Sequence, residues 1–188
     1  NIEAAEKMGK LHSQLKAVGY DGHALEVMLI RLLFCLFAED TGIFEKYQFS
    51  RFIQNKTQAD GSDLAAQLSY LFHVLNQAED KRLKNLDADL AEFAYINGQL
   101  FSEFYPPASF DDEMRNLLLE ACEMDWSKIS PEIFGSLFQS VMNKTERRAL
   151  GAHYTGEDNI LKVVSSLFLD DLRAEFDKKK KKGRNAER

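Results

Sequence analysis

The sequence predicts an all-α protein, an irregular helical bundle of about six principal helices, and three observations carry that prediction. Apolar residues recur at three- and four-residue intervals through most of the chain. Only 3 Pro and 10 Gly interrupt 188 residues, so long helical stretches are available. Helix-start signals occur at Ser130-Pro131-Glu132 and at Thr155 with Asp158 three residues on, and Asp111 or Asp112 supplies negative charge to the first turn of another helix.

The elements follow in order. Residues 4–18 place Ala4, Met8, Leu11, Leu15 and Val18 on one face of a first helix, which Gly19-Tyr20-Asp21-Gly22 ends. Residues 23–38 form a second helix that is apolar nearly all round, the expected centre of the bundle. Residues 44–53 read as one or two short helical turns, and 55–63, polar and holding Gly61, as a loop. Residues 64–78 are amphipathic again, with Leu64, Leu68, Leu71, Phe72 and Leu75 on one side. Between 79 and 107 the periodicity weakens, and Asn97-Gly98 between apolar residues suggests a small hairpin near 95–101. Further helices are expected over 110–124, 133–143 and 156–176. No internal repeat is evident.

With 45% hydrophobic and 29% charged residues, the chain has the composition of a folded domain with room for part of a second. The longest apolar stretch, 27–38, is broken by Arg31 and is too short to span a bilayer, so no membrane association is expected. Cys35 and Cys122 lie far apart, and Cys35 sits inside LLFCLF, which reads as a reduced buried thiol and fits the cytoplasm. The chain opens NIEAAEKMGK without an initiator Met or a signal pattern, so a piece of a longer protein is expected.

Charge is distributed unevenly. The whole chain is net −6, but residues 178–188 hold seven bases and one acid, leaving 17 bases against 29 acids, net −12, over 1–177. Such a body repels phosphate. The lysine run reads as a solvated, flexible basic tail, with nucleic-acid binding as the sharper alternative.

Candidate chemistry is sparse. His12, His23, His73 and His153 are scattered and no metal-ligand spacing links them, so no metal is expected. No nucleophile elbow, P-loop or dinucleotide fingerprint occurs. Glu39 and Asp40 stand at the C-terminal end of the second helix, where the macrodipole disfavours acids. The simplest reading is that Asp40 or Thr41 caps the next turn while Arg31 pairs with one of the acids. RRALGAHYTGEDNI is the most specific segment. Gly151 frees the backbone, Tyr154 offers a ring with a hydroxyl, and Thr155 opens a helix whose exposed amides favour an anionic group. A small-molecule docking point and a plain capped turn remain equally open there.

Three ordered segments carry a resemblance: RLLFCLFAEDTGIF (31–44), DWSKISPEIFGSLFQSVMN (125–143) and RRALGAHYTGEDNILKVV (147–164). Together they resemble the MmeI-like restriction-modification methyltransferases, of type IIL or IIG. There a helical spacer joins a nuclease region to a class I methyltransferase domain using S-adenosylmethionine. The resemblance implies residues 1–144 as spacer, 145–177 as the start of the methyltransferase domain and 178–188 as tail. It implicates Gly151, His153, Tyr154 and Thr155 in holding S-adenosylmethionine. Lys144, Arg147 and Arg148 become candidates for phosphate contacts.

The catalytic NPPY or NPPF motif, the glycine-rich cofactor loop and an acid-x-lysine nuclease signature are all missing from these residues. The expectation is therefore a non-catalytic piece of a protein that methylates DNA, at adenine N6 by family preference, with no cofactor held by the piece itself. Its expected partners are duplex DNA through the whole protein and the intramolecular nuclease and methyltransferase domains. The rival expectation is a protein-interaction module docking a specificity or nuclease partner.

Overall fold

The computed structural model describes residues 2–129, with Ile2 and Ala5 as backbone only. The expected helices at 133–143 and 156–176, the domain boundary at 144 and the basic tail lie outside these residues. Among the described residues six α-helices and two 3₁₀ turns occur, with no strand. No helix among them is long and apolar enough to cross a membrane.

Helix α1 spans Ile2–Ala17 and buries Ala4, Met8, Leu11 and Leu15 as one stripe. It stops in a left-handed Gly19 (φ 88°), with the amides of Gly19 and Tyr20 donating to the carbonyls of Lys16 and Leu15. This paired closure satisfies two otherwise orphaned carbonyls. Val18 falls beyond the helix end and is exposed, so the apolar stripe is one residue shorter than its spacing suggested.

Helix α2, Gly22–Asp40, is the centre of the body. It packs against α1, against α3 and against a 3₁₀ turn at Trp126–Lys128. Its all-round apolarity is what such a position requires. Helix α3, Gln48–Lys56, turns the expected short segment into a nine-residue helix burying Phe49, Phe52 and Ile53. Helix α4, Leu64–Leu75, buries Leu64, Leu68, Leu71, Phe72, Val74 and Leu75. A 3₁₀ turn at Glu79–Lys81 and the short α5, Ala88–Ala91, follow. Helix α6, Asp112–Cys122, begins as its sequence requires: the Asp111 carboxylate accepts the Met114 amide at 2.8 Å. It lies against both α1 and α3.

The suggested hairpin does not form: residues 95–101 are irregular, and the Ile96 amide donates to Leu75 at the end of α4. Asn-Gly needs alternating apolar flanks to pair two strands, and here the apolar residues serve other ends. Six phenylalanine rings form one continuous file through the core. Phe52 meets Phe93 at 5.8 Å, Phe93 meets Phe44 at 5.0 Å and Phe44 meets Phe34 at 6.3 Å. Phe34 meets Phe101 at 5.6 Å, and Phe101 meets Phe72 at 5.4 Å. All but the last contact are edge-to-face, the arrangement that ring quadrupoles favour. Phe93 and Phe101 thus nail the irregular segment to the helices.

Candidate functional site

The seven residues that the sequence singles out, Lys144, Arg147, Arg148, Gly151, His153, Tyr154 and Thr155, lie outside the described residues. What is described is the body that leads into them, and its most distinctive chemistry is how it places charge.

Three arginines work alike. Arg31 donates from Nε to Leu100 O at 2.8 Å and from Nη2 to Glu103 O at 2.7 Å. Its guanidinium also lies 5.4 to 5.6 Å from the ring centres of Phe72, Phe101 and Tyr105. Arg82 reaches the carbonyls of Val74, Gln77, Ala91 and Phe93. Arg115 donates to Thr57 Oγ1 at 2.8 Å and to the carbonyls of Ile53 and Gln54, closing the end of α3. None of the three forms an ion pair with a carboxylate among the described residues. The expected pairing of Arg31 with Glu39 or Asp40 is therefore corrected. Helix geometry explains it: Glu39 lies about 12 Å further along the axis, and Asp40 points about 180° away.

The two acids have other work. Glu39 Oε1 accepts the amides of Phe49 at 2.8 Å and Ser50 at 3.1 Å, so it caps α3 from the preceding helix. Asp40 Oδ2 accepts the Trp126 amide at 2.6 Å. The Thr41 hydroxyl donates back to Phe37 O. The next helix is capped by Glu39, not by Asp40 or Thr41, because Tyr47, at its start, is left-handed (φ 61°) and provides no side-chain cap.

Glu39 is buried, and that burial pushes its carboxyl above the ordinary value of 4.5, against the pull of the Ser50 and Phe49 amides. The folded chain therefore holds a proton that the unfolded chain has released, and this contribution to stability is lost as pH rises from 4.5 through the raised value. Glu39→Gln keeps an acceptor oxygen and cannot ionise. Thermal melts should show its advantage over wild type growing between pH 5 and pH 8; a shrinking difference contradicts this sign. Glu39→Ala, which orphans two amides, should cost about 1–3 kcal/mol at either pH.

Cys35 and Cys122 are buried free thiols whose pKa values burial raises, which keeps them protonated and weakly nucleophilic. No three His, Cys, Asp or Glu among the described residues gather in a way that could hold a metal ion.

The described surface is acidic, with 12 bases against 21 acids over residues 1–129. Several of its lysines are already paired. Lys7 sits 2.8 Å from Glu120, Lys10 3.0 Å from Glu113, Lys56 2.8 Å from Asp89 and Lys128 2.7 Å from Asp125. A phosphate would have to displace these acids.

A cleft beside Arg31, lined also by Tyr20, Met28, Phe72, His73 and Tyr105, offers about 90 Å³. Ligand pockets usually offer roughly 300–1,000 Å³, so this cleft by itself is too small for a nucleoside-sized cofactor. The phenylalanine file and the arginine clasps are the features that sequence reasoning missed. Carbonyl partners leave no residue-type signal.

Residues 23–101 match the family model described as MmeI, helicase spacer domain. DNA methyltransferase A of Bacillus subtilis (strain 168) is 41% identical over 180 residues, covering 94% of this chain and 20% of that protein. The solved structure of the type IIL restriction-modification enzyme MmeI in complex with DNA is 65% identical, with a TM-score of 0.81. It covers 95% of this chain and 24% of its own. The chain thus spans about a fifth of the curated relative and a quarter of the solved one. The matched family model runs from the first turn of α2 to Phe101, the residue that Arg31 and the phenylalanine file hold in place. Residues 23–101 thus match the MmeI spacer domain, and over nearly its whole length the chain is similar to part of MmeI-like restriction-modification enzymes.

Proposed function

We propose that this chain is a non-catalytic spacer that holds the nuclease and methyltransferase parts of one cytoplasmic restriction-modification protein on a single DNA duplex. The observation that carries the reading is the match to DNA-bound MmeI at 65% identity and a TM-score of 0.81. A body with one continuous core and an acidic surface on which several lysines are paired suits a strut better than a phosphate-binding surface.

In this reading residues 1–144 are the strut and 145–177 open the methyltransferase domain. Gly151, His153, Tyr154 and Thr155 form one wall of an S-adenosylmethionine site completed elsewhere in the whole protein. The cofactor supplies the methyl group, with adenine N6 as acceptor. Lys144, Arg147 and Arg148 contact phosphates.

Calorimetric titration of S-adenosylmethionine into this chain, beside the whole protein, tests the reading. Heat is expected from the whole protein alone. Clear binding by the 188-residue chain would mean a cofactor pocket within the spacer itself and would overturn it. Duplex DNA in the same calorimeter tests the phosphate contacts. Gln at positions 144, 147 and 148 of the whole protein should flatten the log-log salt slope by roughly two to three units, and an unchanged slope removes those contacts.

A further inference from the structure

Among the described residues, two of the segments that distinguish this chain meet where 31–44 packs against the turn at 126–128, and a hydrogen bond joins them there. The Trp126 amide donates to Asp40 Oδ2 at 2.6 Å, across 86 residues of sequence. A carboxylate acceptor makes this bond shorter and stronger than an amide–carbonyl bond. The turn that follows is fastened twice more. The Trp126 indole is fully buried, and its Nε1 donates to Ala121 O at 2.7 Å, at the end of α6. Lys128 pairs with Asp125 at 2.7 Å across the turn.

Asp40 is badly placed for its own helix. A negative charge on the last residue of α2 opposes the macrodipole there. Glu39, its neighbour, is tied to the start of α3. The two acids at the end of α2 therefore serve two different later elements: one starts α3, and the other seizes the chain where it leaves α6. Nothing in the stability of α2 itself calls for either.

We propose that Asp40 is a positioning residue. Its carboxylate latches Trp126 and so fixes the turn that follows α6, upstream of the segment that opens the methyltransferase domain in the reading above. The inference rests on the spacer reading above and adds a mechanism to it: a carboxylate at the end of α2 holds the turn after α6 in the register that the methyltransferase domain needs.

The test uses the whole protein in four forms: wild type, Asp40→Ala, Asp40→Asn and Ile53→Val. Asparagine keeps an oxygen that can accept the Trp126 amide, while alanine does not. Ile53→Val loosens the same core away from the latch, since Ile53 is fully buried on α3. Hydrogen exchange should show Trp126–Ile129 amides exchanging at least tenfold faster in Asp40→Ala alone. Titration with S-adenosylmethionine should show affinity falling about tenfold or more in Asp40→Ala, and less than threefold in Asp40→Asn and Ile53→Val. Faster exchange with wild-type affinity in Asp40→Ala overturns the latch and leaves the spacer reading standing. An equal loss in Ile53→Val also overturns it, because general loosening would then suffice. A wild-type protein that binds no S-adenosylmethionine overturns the reading beneath and the latch with it.

Discussion

Arg31→Ala is expected to destabilise the folded chain by about 2–4 kcal/mol, chiefly through lost hydrogen bonds to a charged donor. Three losses combine. The carbonyls of Leu100 and Glu103 lose a charged donor in two part-buried hydrogen bonds. The rings of Phe72, Phe101 and Tyr105 lose the cation they surround, each contact contributing about 0.5–2 kcal/mol. A void then opens beside the cleft already present there. Arg31→Lys should recover only part of this, because an ammonium on a flexible stem cannot reproduce the planar fork that reaches two carbonyls. Urea unfolding followed by circular dichroism would measure both variants. A loss below about 1 kcal/mol for the alanine variant would show that the clasp is incidental.

Gly61→Ala should cost about 3 kcal/mol or more, for backbone reasons. Gly61 has φ 74°, and a Cβ there would stand 2.3 Å from Asp111 O and 2.7 Å from Asp111 C. Both obstacles are main chain and cannot rotate away. Asp111 is moreover the residue whose carboxylate starts α6, so relief of the clash displaces the cap. Gly9→Ala is the internal comparison. Gly9 lies within α1, nothing stands within 4 Å of its would-be Cβ, and the change should stabilise by about 0.5–1 kcal/mol. If both substitutions move the melting temperature the same way, the approach of the 61 loop to α6 is not close.

Much of the body was legible from residue types. Helix α2 announced its central place because no face of it is polar, and α6 was expected over 110–124, with its cap at Asp111 shown only by the fold. The length of α3 was not legible. Its cap comes from Glu39, nine residues before the helix begins, and local pattern reading does not look that far. The segment around Asn97 misled because turn chemistry is local, whereas its path is set by Phe93, Phe101 and two distant arginines. Glu39 and Asp40 were visibly out of place, which was a correct signal with the wrong partner attached. An acid that opposes its own helix is working for another. The motif at 151–155 was legible only through resemblance, since a glycine, a tyrosine and a helix cap serve a turn as readily as a cofactor.

The three arginine clasps have a consequence for how this body tolerates change. A carbonyl belongs to every residue except in its geometry, so no substitution at positions 100, 103, 91 or 93 deletes the acceptor that Arg31 or Arg82 requires. The side chains at 91, 100 and 103 can drift while the joint persists, whereas Phe93 stays tied to the core by its ring. The clasps of Arg31 and Arg82 thus have one hereditary end and one anonymous end, whereas that of Arg115 also depends on the Thr57 hydroxyl. A strut built this way can exchange its acidic skin to suit new neighbouring domains without reopening its joints.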